Sequence, residues 1–174
     1  MILEDAAPPL PMNAPTTTIT QADLALPGHQ DATLQLLNAY AMDPMGDGRP
    51  LSETTRRDLI SGLRQHPTTA VFLAYHGSEP VGLAICFRGF STFAARPLVN
   101  IHDFSVLPAH RGSGIGRLIL AAVERYARAT GCCKLTLEVQ ENNHRAKSIY
   151  ASAGFAQMLY VPEAGGSLNL SKQL

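Results

Sequence analysis

The chain has 174 residues, 45% of them hydrophobic, with 14 basic and 14 acidic side chains and a formal net charge of zero. That length can bury a real core in one domain, and balanced charge argues against a nucleic-acid surface, which needs a basic stripe. No apolar run reaches membrane-spanning length, and no basic region precedes an apolar stretch near Met1, so a cytoplasmic protein is expected.

Residues 6–15 are rich in Pro and Ala and bury too little apolar area to offset chain entropy, so residues 1–15 are expected to form a disordered leader. Residues 16–174 are then expected to make a single domain. Residues 16–20 read as a short, threonine-rich first strand. Pro27 opens a helix to about residue 41, with Leu34, Leu37 and Tyr40 on one face. Residues 43–50 are turn chemistry throughout. Ser52 is an N-cap candidate for a second helix to about residue 65, with Leu59, Ile60 and Leu63 on its apolar face.

Residues 69–75 and 81–87 read as a hairpin joined by a turn at 76–80. Residues 89–97 read as a loop, and residues 99–107 as the central strand. The helix that follows, 115–130, carries Ile115, Leu118, Ile119, Ala122, Val123 and Tyr126 at helical spacing. Residues 134–139 alternate polar and apolar, so they form a strand with one buried face. Asn143 caps a last helix to about residue 153, and Gly154 ends it. Residues 155–161 and 167–170 are expected to be closing strands around a turn at 162–166. The order of elements is that of an α/β domain without internal repeats.

The cysteines are Cys86, Cys132 and Cys133. An odd count without an export signal argues against a disulfide framework, and adjacent cysteines have the wrong spacing for zinc. Reduced thiols and no metal are expected.

The segment Arg111-Gly112-Ser113-Gly114-Ile115-Gly116 joins the central strand to its helix. A glycine-rich turn there lines up unshielded backbone N–H groups, and the helix N-terminus adds partial positive charge, which together make a cradle for a phosphate or pyrophosphate. A P-loop is excluded, because Arg117 and Leu118 follow the last glycine where Lys and Ser or Thr belong. A dinucleotide loop is excluded as well. Counting from Gly112 puts Arg117 at the third glycine position, and counting from Gly114 puts Ile119 there. What remains is Arg or Gln, two residues, Gly, one residue, Gly or Ala, matched by Arg111, Gly114 and Gly116.

A second block follows at Asn143, Ala146, Tyr150, Gly154 and Phe155, in the order Asn-x-x-Ala-x-x-x-Tyr-x-x-x-Gly-Phe. In this order and separation, the two blocks resemble the characteristic motifs of the GNAT superfamily of N-acetyltransferases, over roughly residues 70–155. The resemblance implies a mixed, mainly antiparallel sheet of about six to seven strands flanked by about four helices. It implies acetyl-CoA as cosubstrate and an amine as acceptor, and composition has already argued against nucleic acid and membrane as partners. Many relatives pair through their sheets or C-terminal strands, so a homodimer is among the expectations.

The resemblance also assigns roles. The backbone amides of Gly112, Ser113, Gly114, Ile115, Gly116 and Arg117 would hold the pyrophosphate, with Arg111 and Arg117 adding charge. Arg117 reads equally as a solvated surface residue. The backbone of Phe104, Ser105 and Val106 would pair with the pantetheine arm and polarise the thioester. Asn143 would cap its helix and also touch the cofactor arm, although capping alone accounts for it. Tyr150 would protonate the departing thiolate. A tyrosine of ordinary pKa near 10 giving its proton to a thiol near 8.5 runs uphill by about 2 kcal/mol, so the site must help.

A primary amine is mostly protonated at neutral pH and needs a proton acceptor. His102 and Asp103 are the candidates, and strand alternation puts them on opposite faces. The run from Ile101 to Val106 is similar to the matching strand of polyamine (diamine) acetyltransferases, which carry two acidic residues there. Asp103 keeps that match and His102 departs from it, which weakens the case for a dicationic substrate. Many members use a water chain instead. The acceptor surface is expected from the first two helices and the loops at 43–50 and 89–97, with Asp43 and Asp47 read as turn formers. The leading expectation is acetylation of a primary amine on a polyamine, amino acid or aminated antibiotic. The alternatives are a protein lysine or N-terminal acetyltransferase and a non-catalytic acyl-CoA binding module.

Overall fold

The computed structural model describes residues 16–157 and Lys172. The chain forms two compact units, Met1–Glu138 and Val139–Leu174. The first unit runs β1 (Thr17–Gln21), α1 (Pro27–Ala41), α2 (Glu53–Gln65), β2 (Thr69–His76), β3 (Glu79–Ser91), β4 (Arg96–Val106), a 3₁₀ turn (Pro108–His110), α3 (Ile115–Ala129) and β5 (Leu135–Leu137). The five strands lie in sequence order. The first four are antiparallel, and β5 runs parallel to β4. That parallel pair follows from its connection: α3 carries the chain back along the sheet before β5 begins.

One face of the sheet packs on α1 and α2. Val71, Leu73, Leu83 and Ile85 meet Ala32, Leu36, Leu37 and Leu63 in one buried cluster. The other face packs on α3 through the buried Ile119 and Val123. Gly82 marks the close approach there, since a Cβ on it would lie 3.0 Å from both Ile119 Cδ1 and the Ser105 carbonyl oxygen. The buried stripes differ slightly from the sequence expectation. Leu36, rather than Leu34, is buried on α1. Leu118 is 46% exposed, whereas Leu120 and Ala127 are buried. A helix lying flat on a sheet buries a band wider than a single i, i+3, i+4 line.

The loop expected at 89–97 is strand for most of its length. Gly89 pairs with Leu98, Phe90 with Pro97 and Ser91 with Arg96, which leaves a turn of only 92–95. Local signals pointed the wrong way here. Gly89 sits inside β3, while the left-handed turn position is filled by Ala95 at φ +48°, with no glycine to mark it. The turn expected at 76–80 is likewise only Gly77 and Ser78. Gly77, at φ +61°, supplies the positive φ that a two-residue hairpin turn requires.

The segment after α1 is pinned closely. Gly46 lies under the end of α1, where a Cβ would fall 2.2 Å from the Tyr40 carbonyl oxygen. Gly46→Ala is expected to destabilise the protein by about 1–3 kcal/mol, because backbone rather than a flexible side chain must move. Urea unfolding checks this, and an unchanged midpoint would mean that the segment shifts freely.

The second unit contains α4 (His144–Ser152). Asn143 caps it, its Oδ1 accepting from the Ala146 amide at 3.1 Å. Gly154, at φ +86°, ends it, and the Phe155 amide donates back to the Tyr150 carbonyl at 3.0 Å. Five strands are seen among the described residues, against six to seven expected. Of the expected closing strand 155–161, residues 155–157 have no regular structure, and the rest lies outside the described residues. The strand 167–170, the turn 162–166 and the leader 1–15 also lie outside them.

Candidate functional site

The glycine-rich turn forms as its composition requires. Gly112 and Gly114 have φ of +83° and +87°, a region where L side chains are strained, and a Cβ on either would meet nothing within 4 Å. Glycine is therefore demanded by backbone conformation, and the space above both residues is open. Ser113 Oγ donates to the His110 carbonyl at 2.6 Å, which fastens the turn to the preceding 3₁₀ segment. Gly114 is the N-cap of α3 and has no side chain with which to cap it. The first amides of a helix have no intrahelical acceptor, so those of Ile115, Gly116 and Arg117 face the entrance of α3 with no capping side chain from Gly114. Ile115 and Gly116 are buried, and Arg117 is exposed. This side-chain-free, electropositive helix start fits the pyrophosphate of coenzyme A.

Arg111 stands at the head of this turn. Its Nε donates to the Val106 carbonyl at 2.7 Å, and Nη2 donates to Asp43 Oδ2 at 2.5 Å.

β4 reaches the same place from the sheet. Phe104, Ser105 and Val106 pair with Ala84, Leu83 and Gly82 of β3. The parallel ladder with β5 runs only from Val99 and Leu135 to Ile101 and Leu137, while β4 continues to Val106.

A β-bulge interrupts β4. Ile85 pairs with Asp103 and Cys86 with Ile101, so His102 is the extra residue. His102 and Asp103 therefore do not fall on opposite faces, as unbroken strand alternation would have placed them. The His102 ring lies edge-on to Phe87, with centroids 5.5 Å apart, and Phe87 packs on the α1/α2 side. Asp103 pairs with Ile85 of that same face and acts electrostatically on Tyr40 of α1. The inserted residue resets the two-residue period and turns both side chains toward α1 and α2.

Electrostatics follow from that placement. Burial holds the Asp103 carboxyl above its ordinary range, and the His102 charge opposes this. Burial pushes the Cys86 thiol up to about 12, helped by the Asp103 charge, so this cysteine is an inert core residue. Burial raises Tyr40 too, aided by Asp103, Asp43 and Asp47. Tyr40 and Asp47 thus join Asp103 in one acidic, half-buried neighbourhood that sequence reading did not assemble. They are some 60 residues away along the chain, and no local spacing connects them to it.

The raised Asp103 pKa has a thermodynamic signature. In the folded state the charged form is penalised. That penalty is absent below the unfolded value, near 3.8, and is fully present above the folded one. Stability owed to Asp103 therefore falls as pH rises through this window. Asp103→Asn is expected to gain stability relative to the wild type on going from pH 4 to pH 7, as urea unfolding at both values would show. Equal differences at the two values would mean that Asp103 is not desolvated.

Asn143 and Tyr150 belong to the second unit. Asn143 makes the expected cap. Tyr150 is buried, with its ring 5.7 Å from that of Phe155. Among the described residues, no group of three or more His, Cys, Asp or Glu is arranged to hold a metal, and no helix is long and apolar enough to cross a membrane.

Comparison with known proteins gives the family and the fold. Residues 33–155 match the model of the acetyltransferase (GNAT) family. An uncharacterized N-acetyltransferase of Archaeoglobus fulgidus is 34% identical over 118 residues, 66% of this chain and 78% of that protein. Thialysine N-epsilon-acetyltransferase of Bos taurus is 35% identical over 74 residues, 42% of this chain and 43% of that protein. Among solved structures, an aminoglycoside N-acetyltransferase in complex with CoA shares the fold with a TM-score of 0.70 at 18% identity, covering 95% of this chain and 99% of that one.

Proposed function

The chain belongs to the acetyltransferase (GNAT) family and is an acetyltransferase, and on that premise we propose that it moves an acetyl group from acetyl-CoA to a primary amine of a small molecule. The observation that carries the cosubstrate is the uncapped start of α3 behind two left-handed glycines. Residues 16–174 are read as one catalytic domain, and the family match crosses the boundary between the two units at Glu138.

Acetyl-CoA supplies an acetyl group activated as a thioester. The amides from Gly112 to Arg117 bind its pyrophosphate, and the backbone of Phe104, Ser105 and Val106 aligns its extended arm and polarises the carbonyl. Losing one such donor typically costs about 10²–10³ in rate. Asp103, whose carboxyl burial holds above its ordinary range, takes the proton of the incoming ammonium, and His102 beside it opposes that rise. Tyr150 is assigned as general acid from its place in the second motif, and Asn143 as a contact to the arm. The thialysine and aminoglycoside acetyltransferases among the similar proteins support an amine on an amino acid or an aminated antibiotic, and the partial match of β4 supports a polyamine.

Thiol release from acetyl-CoA across a panel holding thialysine, lysine, spermidine and sisomicin tests this, alongside calorimetric titration with coenzyme A. Turnover of one amine establishes the reading and names the acceptor class. Binding without turnover directs the search to a protein acceptor or a sensor role. No binding removes the cradle and the reading with it.

A further inference from the structure

A guanidinium at the head of the glycine turn is ordinarily counted among the phosphate-binding charges, but the contacts of Arg111 point elsewhere. Its fork spans two segments that are distant in sequence, bonding the last residue of β4 through the Val106 carbonyl and the turn after α1 through Asp43. Both partners are largely shielded, with the Asp43 side chain 10% exposed and that of Arg111 27%. The same Asp43 organises its own turn. Its Oδ1 accepts from the Met45 amide at 2.9 Å, and its carbonyl accepts from the Gly46 amide at 2.8 Å. The Asp43 amide donates in turn to the Tyr40 carbonyl at 3.0 Å. Arg49 N and Leu51 N are tied back to Ala41 O and Asn38 Oδ1. The whole stretch from Asp43 to Leu51 is thus anchored to the end of α1, and only Arg111 fastens that stretch to the glycine turn by a charged pair among the described residues.

We infer that Arg111 is a positioning residue: it brackets segment 43–50 to the end of β4, holds Tyr40 and Asp47 beside Asp103, and so sets affinity for the acceptor amine rather than for the phosphate of the cosubstrate. The role assigned to the amine rests on the function proposed above. Two physical arguments favour the bracket. The charge of Arg111 is compensated by a shielded carboxylate, which leaves little net field for a phosphate, whereas the backbone cradle needs no side chain. A planar fork that holds two acceptors in fixed directions also suits joining segments better than a point charge does.

The test uses Arg111→Gln, Arg111→Lys and Asp43→Asn in the full chain, with coenzyme A as the probe of the cradle and the panel amine of highest turnover as the probe of the acceptor side. Each variant is expected to raise the KM for the amine about tenfold, the effect of removing one charge-assisted hydrogen bond, with coenzyme A affinity kept within about threefold. Arg111→Lys, which keeps the charge but not the fork, should fail to rescue. Combining Asp43→Asn with Arg111→Gln should be no worse than Arg111→Gln alone, because Asp43→Asn removes only a bond that Arg111→Gln has already removed. Hydrogen exchange should rise about tenfold at residues 43–50 in each variant and stay unchanged in β2 and β3. Arg111→Gln weakening coenzyme A tenfold while Asp43→Asn does not would overturn the proposal, making Arg111 a phosphate ligand. Faster exchange spread over the sheet, or none at 43–50, would also overturn it. If the wild type binds coenzyme A but acetylates no panel amine, the proposed function fails for small amines, while exchange and coenzyme A titration still decide the bracket.

Discussion

Replacing Tyr150 by phenylalanine is expected to lower turnover by about 10²–10⁴-fold, the range for losing a positioned general acid. Affinity for coenzyme A should stay within a few fold of the wild type, since an interaction made only in the transition state shows in kcat. Phenylalanine suits this test because of what Tyr150 does structurally. The side chain is buried and its ring packs beside Phe155, and the substitution keeps that ring and removes only the hydroxyl. A fall in kcat with unchanged coenzyme A binding therefore belongs to the chemistry. Unchanged turnover would remove the general-acid assignment. Loss of both binding and folding would show that the hydroxyl serves the structure of the second unit.

Gly114→Asp is expected to weaken coenzyme A binding by about 10²-fold relative to Gly114→Asn. Both replacements place a side chain of the same shape at φ +87°, a backbone region that Asp and Asn tolerate better than other L residues, at a cost of about 1–2 kcal/mol or less. Among the described residues, no atom beyond the chain neighbours lies within 4 Å of the Cβ position into which both project, so neither should prevent folding. They differ in charge alone. Like charges about 4 Å apart repel by about 1 kcal/mol in water and about 4 kcal/mol at a protein surface, which sets the expected difference. Isothermal titration at low and moderate salt reads it, and the gap should narrow as salt rises. Equal, small effects from both variants would mean that the anion sits away from the start of α3 and that the glycines serve only the turn.

The site was legible where its chemistry is local. The spacing of Arg111, Gly114 and Gly116 marked a glycine turn between strand and helix, and the structure has both glycines at 112 and 114 in the left-handed region. Ser52 and Asn143 were readable as caps because a cap is made within three residues, and both accept the amides that a cap should. The hairpin tip at 92–95 was misread because its cues were absent or displaced: the left-handed turn residue is an alanine, and the glycine sits inside the strand.

By itself, the sequence determined the family, the order of the elements among the described residues, the glycine turn before α3 and the position of the motif tyrosine. Those properties are written in spacings of two to twelve residues, over which backbone geometry alone dictates the outcome. Only the tertiary structure decided the facing of His102 and Asp103 and the partner of Arg111. A bulge is a register event between two strands, visible only when Ile85 and Cys86 are set against Asp103 and Ile101. The Arg111–Asp43 pair joins residues 68 positions apart, brought together by the packing of α1 on β4. Contacts of that kind are chosen by where the whole sheet and its helices come to rest, a cooperative result that no local pattern encodes.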